Sequence, residues 1–430
     1  MKETDEDEIK YEKEKAKKLK QKEEKDKEKD SLELINKGPS RLIINKDNKT
    51  LDSFEILSKE NEFEDYGFTE LSFKTIYEND PLLKHVISHI SEYLDKNSKN
   101  SYKNIIECYS NLINYDEFSE EIINEILFNG IPESLPCLRP LIWKSLIGFY
   151  PLNKLVKWKN ETIQNNMEYK KIVEKYNYYP DKITTEKDSN LLVQINKDLP
   201  RTRFDVPFFE DKNKNNEKEI NYDVLKRILF FYANEHDQVG YVQGMNEIIA
   251  IIFYILSKDD NPFNKEYTES DAYFTFEKLM EQIKDVFLME DINYSQLFVT
   301  MQIKEIKQIL KKIDRELFDY FTEIGLELDN FVMRWILVLF AQEFTIDVAV
   351  NFWDRLFTQK NKMKFICYIS TAIIKINKEK IMKMDSSEVM EWAQQLQNKM
   401  NEMDINNLVK VALEIKNIYN RKESNNISVN

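Results

Sequence analysis

Apolar residues recur every three or four positions along most of the chain after about residue 81, which is the period of helices that bury one face. Leu82, Val86, Ile90 and Leu94 show the spacing most simply. The segments that follow the same pattern are 105–113, 120–128, 140–149, 224–232, 303–313 and 317–324. Residues 248–256, 331–340 and 365–376 are apolar nearly all round, which predicts fully buried helices. The pattern therefore predicts an all-α fold.

Short signals mark several helix ends. Asn129-Gly130 follows the helical pattern of 120–128 and predicts its C-terminal end. Asp385 and Glu388 are spaced as a capping pair before another apolar stripe. The last dozen residues are polar and predict a frayed end.

The two ends of the chain have a different character from the middle. Residues 1–30 contain 11 lysines and 12 acidic residues, with too few apolar positions to form a packed face. We expect a charged, disordered tail there, followed by an irregular segment at 31–80 and by N-terminal helices over 81–124.

Composition narrows the classes of function. The 430 residues include 7 glycines, against roughly 30 at average usage. Turn-dense β folds are therefore disfavoured, and no glycine-rich phosphate-binding motif can be read. The net charge of −14 disfavours binding to nucleic acid through bulk charge. The longest apolar run, 248–256, is too short to span a membrane, and the charged N-terminal segment is not a signal peptide.

Cysteine and histidine usage predicts no metal site. Cys108, Cys137 and Cys367 are odd in number and far apart, as expected of reduced buried thiols in a cytosolic protein. His85 and His89 are four residues apart and fit a half-buried helix face better than a pair of metal ligands. We expect no cluster of these histidines with the cysteines.

Residues 195–202, here the arginine segment, combine an arginine with a helix-breaking proline. Pro200 disfavours the helical conformation at the residue before it, which places Arg201 on a turn or loop. Asp198 lies three residues earlier and could hold the guanidinium by a charge-assisted hydrogen bond. An arginine presented in this way suits phosphate charge. On this segment alone, an ordinary surface arginine with a local salt bridge is the favoured interpretation.

Residues 240–247, here the glutamine segment, place Gly240 and Gly244 on either side of Tyr-Val-Gln. In a chain so poor in glycine, this spacing predicts unusual backbone geometry. Gln243 could then present an amide, which can orient water through one donor and one acceptor. The alternative is a plain helix entry with Tyr241 and Met245 packed inward.

Taken together, ordered motifs resemble the TBC domain, the family of GTPase-activating proteins for Rab GTPases. Arg139 and Trp143 resemble its R-x-x-x-W block. The arginine segment resembles I-x-x-D-x-x-R followed by threonine, and the glutamine segment resembles Y-x-Q-G-M-N. The matching residues in those two segments are Ile195, Asp198, Arg201, Thr202, Gly240, Tyr241, Gln243, Gly244 and Asn246. Further landmarks of the family are matched by Asp314, Leu317, Arg334-Trp335 and Trp353-Asp354. Within the family, the sequences of 194–198 and 240–248 are most similar to those of the member-thirteen-type TBC proteins.

The resemblance implies a two-lobed helical domain over 125–400, with lobes of roughly 125–260 and 261–400 and a helix end and tail over 401–430. It implies a Rab-type GTPase in its GTP form as the partner. GTP and Mg²⁺ would be held by that partner, so this chain would need no cofactor of its own. The protein would be cytoplasmic and recruited to membranes through its partner.

The resemblance also implies roles for single residues. Arg201 would be an arginine finger and Gln243 a glutamine finger that orients the attacking water. Asp198 would fix Arg201, and Tyr241 would pack beside it. Arg139 and Trp143 would be structural, with Trp143 in the core.

One arginine lies outside the motif. Arg203 follows Arg201 by two residues, and we interpret it as a surface residue or a partner contact. Two other functions stay open: a TBC-like scaffold that binds a GTPase or effector without accelerating hydrolysis, and a helical adaptor with no link to GTPases.

Overall fold

A computed structural model describes residues 80–96, 105–106, 119–152, 155–176, 185–209, 221–287, 292–396 and 402–427. The chain divides into two units, Met1–Ser53 and Phe54–Asn430, and all described residues lie in the second. The charged tail, most of the irregular segment at 31–80 and residues 210–220 lie outside the described residues.

The described residues form α-helices joined by turns and short 3₁₀ helices, and contain no β-strand. The α-helices are α1 Pro81–Lys96, α2 Glu120–Asn129, α3 Leu138–Ile147, α4 Trp158–Tyr176, α5 Glu186–Asp198, α6 Asn221–Glu235, α7 Met245–Ser257, α8 Pro262–Lys265, α9 Thr268–Ile283, α10 Ile292–Ile313, α11 Arg315–Glu323, α12 Asp329–Leu337, α13 Ile346–Phe357, α14 Lys362–Ile376, α15 Lys378–Ile381, α16 Ser386–Gln394 and α17 Glu402–Ile427. The all-α prediction is confirmed.

The N-terminal helices form a small core of their own. Asp80 caps α1, because its Oδ1 accepts the backbone N–H groups of Leu82 at 2.9 Å and Leu83 at 3.1 Å. The stripe predicted from the four-residue spacing is buried in α1 and packs with the apolar faces of α2 and α3. The three helices therefore share one cluster of buried side chains, although α1 precedes the predicted domain.

The larger core is built around α7. Every residue of α7 from Met245 to Leu256 is buried, and the helix packs against α6 and α9. Each fully buried Ile or Leu contributes about 1.5 to 3 kcal/mol of transfer free energy. A second layer, in which α14 packs against α10 and α17, completes the same core. Because this cluster runs from α3 to α17 without a break, the lobe boundary near residue 260 stays a prediction.

A buried ion pair lies between α3 and α9. Lys144 Nζ is 2.8 Å from Asp271 Oδ2, with the two side chains 1% and 2% exposed, and it also donates to the Tyr150 hydroxyl at 3.1 Å. The nearby carboxylate raises the pKa of Lys144 although burial opposes this, so the ammonium remains charged in the core.

Several helix boundaries agree with the sequence and three differ. α2 ends at Asn129 before Gly130, and Asp385 with Glu388 forms a complete capping box. The helix predicted over 331–340 ends instead at Leu337. The last dozen residues, predicted to be frayed, are helical as far as Ile427. α10 begins at Ile292, well before the predicted stripe at 303–313.

The expectation that the histidines and cysteines stay apart is wrong for one cysteine. A nitrogen of His85, the sulfur of Cys137 and a carboxylate oxygen of Asp260 all lie within 4.8 Å of one another. The packing of α1 beside the start of α3 and the loop before α8 brings together residues that are distant in sequence.

Candidate functional site

The arginine segment is a helix end followed by a tight turn. α5 stops at Asp198 and a 3₁₀ helix, Leu199–Arg201, continues from it with Pro200 in its first turn. Arg201 is exposed and has no hydrogen-bond or ion-pair partner among the described residues. Arg201 is the last residue of this 3₁₀ helix, so the prediction that it does not lie in the middle of a helix is confirmed. The expectation that Pro200 keeps the residue before it out of the helical conformation is wrong, because Leu199 has φ −53° and ψ −45° and continues the end of α5.

Asp198 contacts a different residue from the one expected. Its Oδ2 accepts a hydrogen bond of 2.7 Å from the hydroxyl of Tyr241, and within the described structure it makes no bond to Arg201. Burial and the hydrogen bond to Asp198 raise the pKa of Tyr241, so the hydroxyl remains protonated and donates. The carboxylate thus joins the arginine segment to the glutamine segment and leaves the guanidinium of Arg201 free.

Asn246 makes a second link between the two segments. Its Nδ2 donates to Thr202 Oγ1 at 2.9 Å, and its Oδ1 accepts from the backbone N–H of Gly244 at 3.0 Å. Thr202 Oγ1 in turn donates to the Asp198 carbonyl at 3.0 Å, and the Thr202 carbonyl accepts from the Tyr222 hydroxyl at 2.7 Å. Thr202 and Asn246 are buried, so this polar network is shielded from water and fixes both turns.

The glutamine segment has the unusual backbone that its glycines predicted. Gly240 has φ 62° and Gly244 has φ 109°, conformations that L-residues rarely adopt. A Cβ atom at Gly244 would lie 2.8 Å from Val338 Cγ1. Tyr241 and Met245 are buried while Gln243 is exposed. Both interpretations of the segment therefore hold together: it is a helix entry, and it leaves Gln243 exposed.

Arg203 is not the surface residue that the sequence suggested. It is 3% exposed and donates through Nη1 to the carbonyls of Ala341 at 2.7 Å and Phe344 at 2.9 Å. Its Nη2 is 3.3 Å from Asp205 Oδ2. Arg203 has a positive φ of 45°, which is uncommon for a residue other than glycine. Arg203 therefore belongs to the support of the site and is unavailable to a partner.

Residues 338–344, here the supporting turn, come from the second half of the chain and were missed by sequence reasoning. α12 ends in a Schellman motif, in which Phe340 N–H bonds the Trp335 carbonyl at 3.1 Å and Leu339 N–H bonds that of Ile336 at 3.4 Å. Leu339 and Phe340 have positive φ without being glycine. An apolar run does not reveal such a turn.

The supporting turn also contacts a titratable group at the end of the glutamine segment. Glu247 is 3% exposed and accepts from Gln342 Nε2 at 3.3 Å. Burial raises the pKa of Glu247 to about 7, although the positive charge of Arg203 lowers it.

Arg139 and Trp143, to which the resemblance assigns a structural role, contact the same carboxylate. The Asp354 carboxylate on α13 accepts from Trp143 Nε1 at 2.7 Å and from Arg139 Nε at 3.2 Å. Burial raises the pKa of Asp354 while the guanidinium opposes this. Trp143 is 1% exposed and stands edge-on to Phe357 at 5.0 Å. These residues connect α3 to α13. Ile195 is completely buried in the main core.

The model of one protein family, described as the Rab-GTPase-TBC domain, matches residues 136–382. The chain belongs to this family. The resemblance found in the short motifs is therefore confirmed. TBC1 domain family member 13 from Homo sapiens is 25% identical over 372 residues, which cover 66% of this chain and 92% of that protein.

A further relative and a solved structure belong to the same family. The GTPase-activating protein GYP1 of Saccharomyces cerevisiae is 27% identical to this TBC protein over 254 residues, covering 55% of this chain and 37% of that protein. The crystal structure of the Ypt/Rab-GAP domain of Gyp1p superposes with a TM-score of 0.61 at 24% identity. That match covers 78% of this chain and 99% of the crystallised domain, so the fold is the TBC fold.

Among the described helices of this TBC protein, none combines the length and the apolar character needed to cross a bilayer.

Proposed function

We propose that this TBC protein accelerates GTP hydrolysis by a Rab-type small GTPase in its GTP form. Arg201 enters the partner's nucleotide site and stabilises negative charge that develops on the transferred phosphoryl group. Gln243 enters beside it and orients the attacking water. GTP and Mg²⁺ belong to the partner, and association with membranes comes through that partner.

The observation that carries the proposal is the contrast between the two exposed side chains and the buried network beneath them. Tyr241 and Asn246 join the two segments to Asp198 and Thr202. Preorganised groups lower a barrier because they pay no reorganisation cost at the moment of reaction. A free guanidinium and a free amide on two fixed turns fit that requirement.

The chemistry of the two groups supports the same conclusion. A guanidinium is planar and always charged, and it donates two parallel hydrogen bonds to phosphate oxygens. An arginine supplied in trans to a GTPase contributes about 10³ to 10⁵ in rate, which corresponds to roughly 4 to 7 kcal/mol. An amide both donates and accepts, which is what positioning a water requires.

Single-turnover GTP hydrolysis by a panel of Rab-type GTPases, with and without this protein, tests the proposal. We expect Arg201→Ala and Arg201→Lys to lose about 10³-fold or more of the acceleration, because an ammonium cannot reproduce the guanidinium fork. We expect Gln243→Ala to lose roughly 10²-fold, the scale of removing one preorganised group.

Two exposed residues near the site serve as matched controls. Lys197→Ala removes a cation from the end of α5, and Gln238→Ala removes an amide just before the glutamine segment. Both controls should keep the wild-type acceleration. Full acceleration by Arg201→Ala would refute the proposal. Binding to a GTP-loaded Rab without acceleration by the wild-type chain would instead show a scaffold.

A further inference from the structure

Three potential metal ligands, His85, Cys137 and Asp260, meet beside α1, and His89 contacts the same aspartate. They are distant in sequence from the arginine and glutamine segments. His85 Nε2 is 3.1 Å from Asp260 Oδ1, and His89 Nε2 is 3.4 Å from Asp260 Oδ2. Cys137, at the start of α3, is 1% exposed, and its sulfur lies within 4.8 Å of the ligand atoms of His85 and Asp260. The four residues come from three separate parts of the fold.

The orientation of His89 is set by the backbone. Its Nδ1 is 2.9 Å from the carbonyl of His85, and a carbonyl can only accept, so Nδ1 carries the proton. In the neutral ring Nε2 then presents a lone pair, and it faces a carboxylate oxygen of Asp260. Two acceptors in that position need a cation between them or a second proton on the ring. A backbone carbonyl that fixes the tautomer in this way is the usual outer contact of a metal-binding histidine.

His236 provides a comparison, because it makes an ordinary histidine–carboxylate pair. His236 Nδ1 is 3.0 Å from the Tyr232 carbonyl and its Nε2 is 3.3 Å from Glu277 Oε1. Within the described structure no thiol or second imidazole joins that pair. The tautomer alone therefore does not define a metal site. The cluster at α1 differs because a second imidazole and a thiol converge on the same carboxylate.

We infer that His85, His89, Cys137 and Asp260 form a binding site for a divalent transition metal of the zinc class. Two imidazoles, one thiolate and one carboxylate are a donor set suited to tetrahedral zinc. Mg²⁺ and Ca²⁺ prefer oxygen ligands, so a site with sulfur and nitrogen ligands binds them poorly. Bond lengths of about 2.0 to 2.3 Å place ligand atoms roughly 3.3 to 3.8 Å apart. The two contacts between an imidazole and Asp260, at 3.1 and 3.4 Å, are already close to this range. The sulfur of Cys137, within 4.8 Å of its neighbours, would have to approach by at most about an ångström.

The carboxylate of Asp259, next to Asp260, already accepts hydrogen bonds at both of its oxygens. Asp259 Oδ1 accepts from the Asn261 backbone N–H at 2.9 Å, and its Oδ2 accepts from Asn264 Nδ2 at 2.7 Å. These bonds fix the loop that carries Asp260. Metal binding replaces the thiol proton of Cys137, and that proton leaves to solvent as the metal–sulfur bond forms.

The site would attach α1 to the domain. α1 lies before residue 136, where the match to the family model begins. Among the contacts that hold α1 is a hydrogen bond of 3.1 Å from Asn261 Nδ2 to the Leu82 carbonyl. A metal bound by His85 and His89 on one side and by Cys137 and Asp260 on the other would add a cross-link at the same place. Zinc should therefore protect α1 from local opening.

Titration of the full chain with Co²⁺, followed by displacement with Zn²⁺, tests the inference. Co²⁺ bound to a thiolate gives a charge-transfer band in the near ultraviolet, which is a readout independent of any GTPase. We expect one Co²⁺ per chain, a band that Zn²⁺ removes, and loss of the band in Cys137→Ser. His85→Gln and Asp260→Asn should weaken binding roughly tenfold or more.

Controls keep the outcome readable. His236→Gln should bind Co²⁺ like the wild type, since it alters the comparable histidine that lacks a thiol. If Cys137→Ser does not fold, His85→Gln and Asp260→Asn decide the question, because both residues are partly exposed. No thiolate band with the wild-type chain would overturn the inference. So would a band that survives in Cys137→Ser and is lost on substitution of Cys367.

Discussion

Replacing Arg203 should destabilise the protein, whereas replacing Arg201 should leave stability unchanged. The two arginines are two residues apart, but Arg201 is exposed and Arg203 is buried against the supporting turn. Arg203→Ala removes both hydrogen bonds to the Ala341 and Phe344 carbonyls. Its primary effect should therefore be on folding, with any loss of GTPase activation as a consequence.

The magnitude follows from what the substitution leaves behind. Each buried carbonyl that loses its donor costs about 1 to 3 kcal/mol. Asp205 also loses its charged neighbour at 3.3 Å. The side chain of Asp205 is 32% exposed, so the loss of its partner adds little. From the two carbonyls we expect a loss of about 2 to 6 kcal/mol.

Two further substitutions of Arg203 separate the contributions of its charge, its hydrogen bonds and its backbone conformation to stability. Arg203→Lys keeps the charge but cannot reproduce the fork, so we expect an intermediate loss. Arg203→Gly loses the same hydrogen bonds as alanine but relieves the positive φ of 45°. Glycine should therefore be about 1 kcal/mol less destabilising than alanine.

Urea unfolding followed by circular dichroism measures these differences, with Arg201→Ala as the matched control at the neighbouring arginine. We expect the midpoint of Arg203→Ala to fall clearly and that of Arg201→Ala to stay at the wild-type value. A loss below about 1 kcal/mol for Arg203→Ala would refute the reasoning, since surface substitutions typically fall within that range. Equal losses at both positions would refute it as well.

Substitutions at Gly244, at Glu247 and in the Lys144–Asp271 ion pair should also change stability. Gly244→Ala should cost about 2 to 4 kcal/mol in urea unfolding, from strain at positive φ and overlap with Val338; a neutral result would contradict the geometry. Because the pKa of Glu247 rises from 4.5 to about 7 on folding, the folded state binds the proton more tightly. The free energy of unfolding should therefore decline as pH rises from about 4.5 to 7. Glu247→Gln should flatten that decline and should raise the free energy of unfolding at pH 8 by up to about 3 kcal/mol. Asp271→Ala should lose about 3 to 5 kcal/mol by leaving Lys144 charged in the core, whereas Lys144→Met with Asp271→Leu should lose much less thermal stability.

The helical fold was largely predictable because the apolar spacing is regular where helices bury one face. The stripe at Leu82, Val86, Ile90 and Leu94 becomes the buried face of α1. The apolar spacing does not show where a turn ends a helix inside an apolar run. Residues 331–340 are nearly all apolar, and such a run gives no signal that the chain reverses after Leu337. Tertiary packing fixes that turn, since Trp353 Nε1 donates to the Leu339 carbonyl at 3.1 Å.

The site was predictable in its exposed residues and much less so in its buried contacts. Motif spacing identified Arg201 and Gln243, and two glycines indicated unusual backbone geometry around Gln243. The partner of Asp198 could not be inferred, because Tyr241 is 43 residues away along the chain. Local spacing favoured Arg201 as that partner, but a buried hydroxyl on the neighbouring segment competes better than a solvated guanidinium.

The division between exposed side chains and buried contacts explains how a surface site can be rigid. Exposed side chains contribute little to stability, so Arg201 and Gln243 can be kept free of partners at small cost. The precision must then come from the residues below them. Thr202 and Asn246 are joined by a buried hydrogen bond, and Arg203 fastens the arginine segment to the supporting turn. That turn belongs to the second half of the chain, so the geometry of the two proposed fingers depends on packing between parts of the sequence about 140 residues apart. A substitution in the supporting turn should therefore reduce GTPase activation without contacting the partner.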